Sequence, residues 1–297
     1  MALPLPTSLS PSKVSSFKDC ALAFRLSNID RLPEPPSPHA AKGTLVHRAL
    51  QLLMWEEEPA DRTERAAMQK LSRAVQEILE GEEYGCLGLV ADEREEFVED
   101  AAQLIRNYFT LEDPGAVRVM GTELRMSVSV GTLKLSGIID RLELDESGDL
   151  VVTDYKTGKA PRATHEQSRL GGVHFYAYLC EQVLGRRPAR VQLLHLREPI
   201  AISTTPSDQT IRGLHQQTVA IWSAVEQACD REDFRPRPGR LCDFCAYHEY
   251  CPAMGGDLSL LPPRAVDTRE GAAAGNGPDL TGQEATATDP PGVPVLA

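Results

Sequence analysis

The chain has 297 residues, 41% of them apolar, with a formal net charge of −12. That is enough material for one elaborated α/β domain or two smaller ones. No run of eighteen apolar residues occurs, which excludes a membrane-spanning helix, and the acidity sets the chain apart from an ordinary basic nucleic-acid binder.

Residues 1–14 are rich in Pro and Ser and carry no apolar h-region, so they do not form a secretory signal. A Ser-capped helix is predicted over 15–26, then a Pro-rich loop over 31–38. A helix over 44–55 buries Leu45, Ala49, Leu52 and Leu53 on one face and carries His47 near its start. Residues 56–100 hold 15 acidic and 5 basic residues, a helix-rich segment whose charges read as a solvated face. A further helix is expected over 95–109. Strands follow over 115–130, 132–144 and 150–156, then a helix over 173–184, strands over 189–196 and 200–204, and a long helix over 207–228. The stretch 256–297, with 6 acidic and 2 basic residues, lacks periodicity and reads as a disordered acidic tail.

The most informative segment is Val151-Val152-Thr153-Asp154-Tyr155-Lys156. Asp154 and Lys156 are two apart on a strand and share a face with Leu150 and Val152. Charges set into an apolar face cost free energy unless they are paired or bind a metal. Asp140, in Gly137-Ile138-Ile139-Asp140-Arg141, lies on the preceding strand across the turn Asp145-Glu146-Ser147-Gly148-Asp149. Two converging carboxylates suit a hard cation such as Mg²⁺ or Mn²⁺. A Lys beside the cation can orient or deprotonate water, which completes the parts of a phosphodiester hydrolase. A hairpin with a surface Asp–Lys pair is the plainer alternative, and the charged Asp140 weighs against it.

Three of the seven cysteines form Cys242-x2-Cys245-x5-Cys251. An odd total without a signal peptide argues against a disulfide framework and for a reduced, cytoplasmic setting. Thiolates at this spacing hold a metal, either zinc or an iron–sulfur cluster. Cys86, Cys180 and Cys229 read as ordinary buried thiols.

In this order the motifs resemble the PD-(D/E)xK nuclease core of RecB-type exonucleases. The run Gly43-Thr44-Leu45-Val46-His47 is similar to that family's G-x-x-x-H. The resemblance implies an α/β core, a central mixed sheet flanked by helices, spanning 1–255 with a helical insertion at 56–110. It implies that His47, Asp140, Asp154 and the Tyr155 carbonyl ligate Mg²⁺ or Mn²⁺. Asp140, Asp154 and Lys156 would be catalytic, with Lys156 activating water. Glu123 and Tyr176 would support the substrate, although Gly172 stands where the family's Q-x-x-x-Y motif has Gln. Relatives such as AddB and the CRISPR-associated iron–sulfur nucleases pair a lone N-terminal Cys with a C-terminal triplet around a [4Fe–4S] cluster. That implies Cys20 joins Cys242, Cys245 and Cys251 in the 235–255 region, a cluster joining the chain ends.

The acidic segments account for the charge, leaving about +2 for the rest. Lys156, Lys159, Arg162 and Arg169 then surround the site, and Arg235, Arg237 and Arg240 precede the cysteine triplet, where they can meet phosphates. The expected function is a metal-dependent DNA exonuclease acting on single-stranded ends in repair or recombination. No G-x-x-x-x-G-K-[ST] loop is present, so unwinding would fall to a partner helicase. The alternatives are a non-catalytic nucleic-acid-binding module with the same fold, and a zinc-stapled hydrolase of another substrate.

Overall fold

The computed structural model describes residues 2–35, 37–79, 87–160, 166–264 and 279–281. Cys86 and Arg162 lie outside the described residues, as does most of the stretch 256–297 expected to be a tail.

The helix expected over 15–26 is two helices, α1 (Pro11–Asp19) and α2 (Ala21–Asn28). The break falls on Cys20, whose extended backbone (φ −158°, ψ 111°) ends one helix and begins the next. Helix α3 (Pro38–Glu56) begins six residues before its expected start, because Ser37-Pro38 opens it and Gly43 does not interrupt it. His47 therefore lies in the third turn rather than near the start. The acidic segment contributes α4 (Glu64–Leu79) and α5 (Ala91–Tyr108). Its charge is spread over helix faces laced by ion pairs, Lys70 with Glu56 and Glu57, and Arg73 and Arg48 with Glu77.

The strands form where alternation predicts them: β1 (Arg118–Val130), β2 (Leu133–Leu144), β3 (Leu150–Lys156), β4 (Arg190–His195) and β5 (Ile200–Thr204). Helix α6 (Glu166–Leu184) connects β3 to the parallel strand β4, and α7 (Asp208–Arg231) follows β5. A three-residue strand, β6 (Asp279–Thr281), pairs in parallel with β1, giving the sheet order β5-β4-β3-β2-β1-β6. The sheet is mixed and lies between two helical layers. One face packs on α1, α2, α6 and α7 through Leu124, Ile139, Leu142, Val152 and Leu193. The other packs on α3, α4 and α5 through Tyr155, Leu194 and Leu196. Among the described residues no helix is long and apolar enough to cross a membrane.

Two glycines set the spacing around the sheet. A Cβ on Gly137 would come within 2.9 Å of Leu179 and 3.2 Å of the Tyr176 ring, so its absence lets α6 lie close on β2. A Cβ on Gly43 would sit 3.3 Å from Thr157 Oγ1, where α3 approaches the end of β3.

Candidate active site and cysteine cleft

The antiparallel pairing of β2 with β3 runs from Leu144–Leu150 to Arg141–Thr153 and ends there. Beyond that point the strands separate, and the Tyr155 N–H donates instead to Asp140 Oδ2 at 2.7 Å. The carboxylate thus fills a gap in the ladder while keeping its other oxygen free for other contacts.

Helix α3 delivers His47 over this gap. Its Nε2–H donates to the Tyr155 carbonyl at 3.1 Å, leaving Nδ1 at 3.5 Å from Asp140 Oδ2 and 3.9 Å from Glu123 Oε1. A backbone carbonyl on the far nitrogen is how metal-binding imidazoles have their tautomer fixed. Glu123 lies opposite Asp140 in the β1–β2 register, between the pairs Thr122–Arg141 and Leu124–Ile139. Its φ of +49° is left-handed, a conformation costing a non-glycine residue about 1–3 kcal/mol and kept where the surroundings impose it. His47, Glu123 and Asp140 each offer a donor atom within 4.8 Å of the other two. One imidazole nitrogen and two carboxylate oxygens are a donor set that suits Mg²⁺ or Mn²⁺.

Asp154 and Lys156 follow on β3, their side chains paired at 2.5 Å. Asp154 is outside the close triad, yet its charge acts on His47 and Glu123, and the Asp140 charge acts on it. Lys156 is 43% exposed, so its ammonium reaches the solvent side where a substrate would arrive. On α6, the Tyr176 ring lies against Gly137 of β2, and burial raises its phenol, with Asp154, Asp140 and Glu123 raising it further. Gly172 has open space where its side chain would be. Lys159 is described in the loop after β3, but the side chain of Arg169 lies outside the described residues.

The electrostatics are those of crowded carboxylates. Burial pulls the His47 imidazole down, but Asp140, Glu123 and Asp154 outweigh it and raise it to about 9. Burial and then Asp140 raise Glu123 to about 7 and Asp154 to about 6. Burial pushes Asp140 up, but His47 and the Tyr155 amide overcome it and hold the carboxyl low.

His47, Glu123 and Asp154 thus bind their protons more tightly folded than unfolded. The stability they contribute is complete below their unfolded values and lost as pH rises through the folded ones. Asp140 has the opposite sign, its contribution being lost on acidification. Above about pH 4 these groups make the metal-free protein less stable as pH climbs toward about 9. A cation needs deprotonated ligands, so Mn²⁺ is expected to raise the unfolding midpoint more at about pH 8.5 than at about pH 6. Thermal unfolding with and without Mn²⁺ at the two pH values checks this, and equal shifts would remove these residues as the ligands.

Cys20, Cys242, Cys245 and Cys251 are all half-buried and line one cleft of about 1100 Å³. Burial raises the Cys245 thiol, the Tyr247 amide opposes this, and Cys20, Cys251 and Cys242 raise it further. Backbone amides already point at two of the sulfurs: Arg237 N–H to Cys20 at 3.4 Å and Gly239 N–H to Cys242 at 3.3 Å. Such donors stabilise thiolates and suit sulfur ligands of a metal group. A Cβ on Gly256 would overlap the carbonyl oxygens of His248 and Glu249, so only glycine lets the chain fold back on this segment. Cys180 and Cys229 are buried apart from the cleft, their thiols pushed up by burial.

The triad's third member, Glu123, is more central than its sequence context suggests. The buried charges Arg141 and Glu143 have a local signal, three charged residues among the four from 140 to 143 on a buried strand, whereas their half-buried partner Glu112 has none.

The sequence pattern of the PD-(D/E)XK nuclease superfamily matches residues 8–252, a span that includes every one of these side chains. No curated protein matches the chain in sequence. Among solved structures, a proposed exonuclease from Eubacterium rectale is 12% identical, with a TM-score of 0.48 over 81% of this chain and 87% of its own. The crystal structure of SSO0001 is 15% identical, with a TM-score of 0.31 over 82% of this chain and 95% of its own.

Proposed function

This chain belongs to the PD-(D/E)XK nuclease superfamily, and from that premise we propose that it is a divalent-metal-dependent deoxyribonuclease of RecB type, acting as an exonuclease on single-stranded ends. The observation that carries this reading is the meeting of His47, Glu123 and Asp140 beside the Asp154–Lys156 pair. The cation supplies Lewis acidity toward the scissile phosphate. His47, Asp140 and Asp154 hold it, with Glu123 as a further donor and the Tyr155 carbonyl alongside. Lys156, held by Asp154, orients the attacking water, and as the neutral amine, once it has released a proton to solvent, it takes the proton of that water. Tyr176 and the exposed cations near the site position the strand.

Cys20, Cys242, Cys245 and Cys251 bind a [4Fe–4S] cluster in this reading, with zinc as the alternative. Their separation along the chain supports it, since a crosslink over more than two hundred residues removes much chain entropy. Protein purified without oxygen is expected to be brown, with absorption near ~400 nm and acid-labile sulfide. Cys242→Ser should lose both, whereas a colourless protein with stoichiometric zinc would assign the zinc site. A cytoplasmic repair or recombination role with a helicase partner follows from the same reading.

The decisive assay uses end-labelled linear and closed circular single-stranded DNA, with Mn²⁺, with Mg²⁺ and with EDTA. Metal-dependent loss of the linear strand with circles intact is the expected result. Cut circles would make the enzyme an endonuclease. A folded protein that binds DNA but cuts neither substrate would be the non-catalytic module, a second reading that Gly172 in place of Gln favours.

A further inference from the structure

We propose that Arg141 and the Tyr155 phenol are positioning residues that hold the metal-binding atoms of His47 and Asp140 in place from the sheet face that α3 covers, where the Tyr155 ring stands edge-on to the His47 ring at 5.9 Å. This rests on the reading of the site as a metal centre and extends it to two side-chain groups, the Arg141 guanidinium and the Tyr155 phenol, to which that reading gives no contact with cation or substrate.

Tyr155 is the residue on which the site hangs. Its amide donates to Asp140 Oδ2 at 2.7 Å, and its carbonyl accepts from His47 Nε2 at 3.1 Å. A shift of its backbone therefore moves two donors at once. The β2–β3 ladder has already ended at Arg141–Thr153, so on that side no strand pairing restrains it. On the other side it pairs only with Leu194 of β4.

The restraint comes from the side chain. The Tyr155 hydroxyl accepts from Arg141 Nη1 at 2.9 Å, and the guanidinium lies 5.6 Å from the centre of its ring. Arg141 has no exposed surface. It is itself fixed on every side. Nη2 donates to Glu112 at 2.9 Å and to Thr153 Oγ1 at 3.2 Å, Nη1 also meets Glu112, and Nε is paired with Glu143. The Tyr108 ring stands edge-on to Tyr155 at 5.8 Å, and its hydroxyl donates to Glu112 at 2.6 Å. Tyr108 ends α5 and Glu112 follows it, so the helical insertion is tied through Arg141 to Tyr155.

Neutralising the carboxylates of the site does not explain this arrangement. Glu112 and Glu143 already balance the guanidinium, and an apolar side chain of similar volume would fill the same space at less desolvation cost. What the network supplies is a fixed direction for Tyr155. Groups that orient ligands in this way typically contribute 10–100-fold to metal affinity.

The test uses Tyr155→Phe in the full chain, which keeps the ring and removes the one hydroxyl. Mn²⁺ affinity is read from the free-ion electron paramagnetic resonance signal, beside kcat and KM on linear single-stranded DNA and the metal-free unfolding midpoint. Mn²⁺ binding is expected to weaken by about tenfold, with kcat falling at sub-saturating Mn²⁺ and KM for DNA unchanged. Glu112→Gln, which loosens Arg141 while keeping its shape, should weaken Mn²⁺ binding in the same direction and stands in if Tyr155→Phe does not fold. Wild-type Mn²⁺ affinity in the folded variants would overturn the proposal, whatever happens to the unfolding midpoint. Absence of Mn²⁺ binding by the unaltered protein would overturn the metal-centre reading itself, and this inference with it.

Discussion

Lys156→Ala is expected to lower cleavage of linear single-stranded DNA by about 10²–10⁴-fold while Mn²⁺ binding persists. Lys156 contributes no atom to the His47–Glu123–Asp140 triad, and its ammonium is paired with Asp154 at 2.5 Å. In the proposed mechanism its removal takes away the group that orients water and carries the proton, and leaves the donors of the triad in place. Loss of a positive charge beside three carboxylates should, if anything, tighten the cation. Asp140→Ala is the contrasting variant. It deletes a donor and strips the Tyr155 amide of its partner, so both binding and cleavage should go together. Mn²⁺ titration and single-turnover cleavage of the two variants separate these effects. Cleavage by Lys156→Ala at the wild-type rate would remove the water-activating role assigned to this residue.

The second large effect is on stability. Arg141→Leu is expected to destabilise the folded chain by about 3–5 kcal/mol, because Glu112 and Glu143 are left without their buried counterion. At roughly 2–4 °C per kcal/mol for a domain of this size, the unfolding midpoint should fall on the order of 10 °C. Burial already raises Glu143 above its usual carboxylate range despite the opposing pull of Arg141. Without that guanidinium its proton should be held more tightly still, so the loss should be greater at neutral than at mildly acidic pH. Replacing Glu112 and Glu143 by apolar residues in the same chain should recover much of the midpoint, since the buried charges then go as a set. A recovered midpoint with weakened Mn²⁺ binding would separate the contribution of the network to folding from its contribution to the site. A midpoint unchanged in Arg141→Leu would mean that the cluster is open to water.

Much of this protein is written locally and was legible in the chain. Alternation marks the strands near Arg118–Val130 and Leu133–Leu144, because a strand with one face on the core repeats every two residues, and the apolar run Leu150-Val151-Val152 marks the next, which is buried on both faces. The in-phase charges Asp154 and Lys156 stand out against that apolar run, and the Cys242-x2-Cys245-x5-Cys251 spacing is itself a local signature. Helix ends were less legible. The break at Cys20 and the early start of α3 depend on what the neighbouring turns pack against, which a periodicity cannot register.

Tertiary structure decided whatever depends on distant residues meeting. The left-handed backbone of Glu123 comes from the way β1 is held against β2 and α3, and it draws a carboxylate toward His47, seventy-six residues away in sequence. Arg141 finds Glu112 and Tyr155 across three elements, and Cys20 reaches the cleft of the C-terminal triplet because α1 and α2 pack beside it. Sequence alone names His47, Asp140 and Asp154 as candidate donors, since chemistry resides in residue types and short spacings, but not Glu123. Only the packed sheet sets their distances, since a metal site is made by several segments converging and each pairwise approach is fixed by the others.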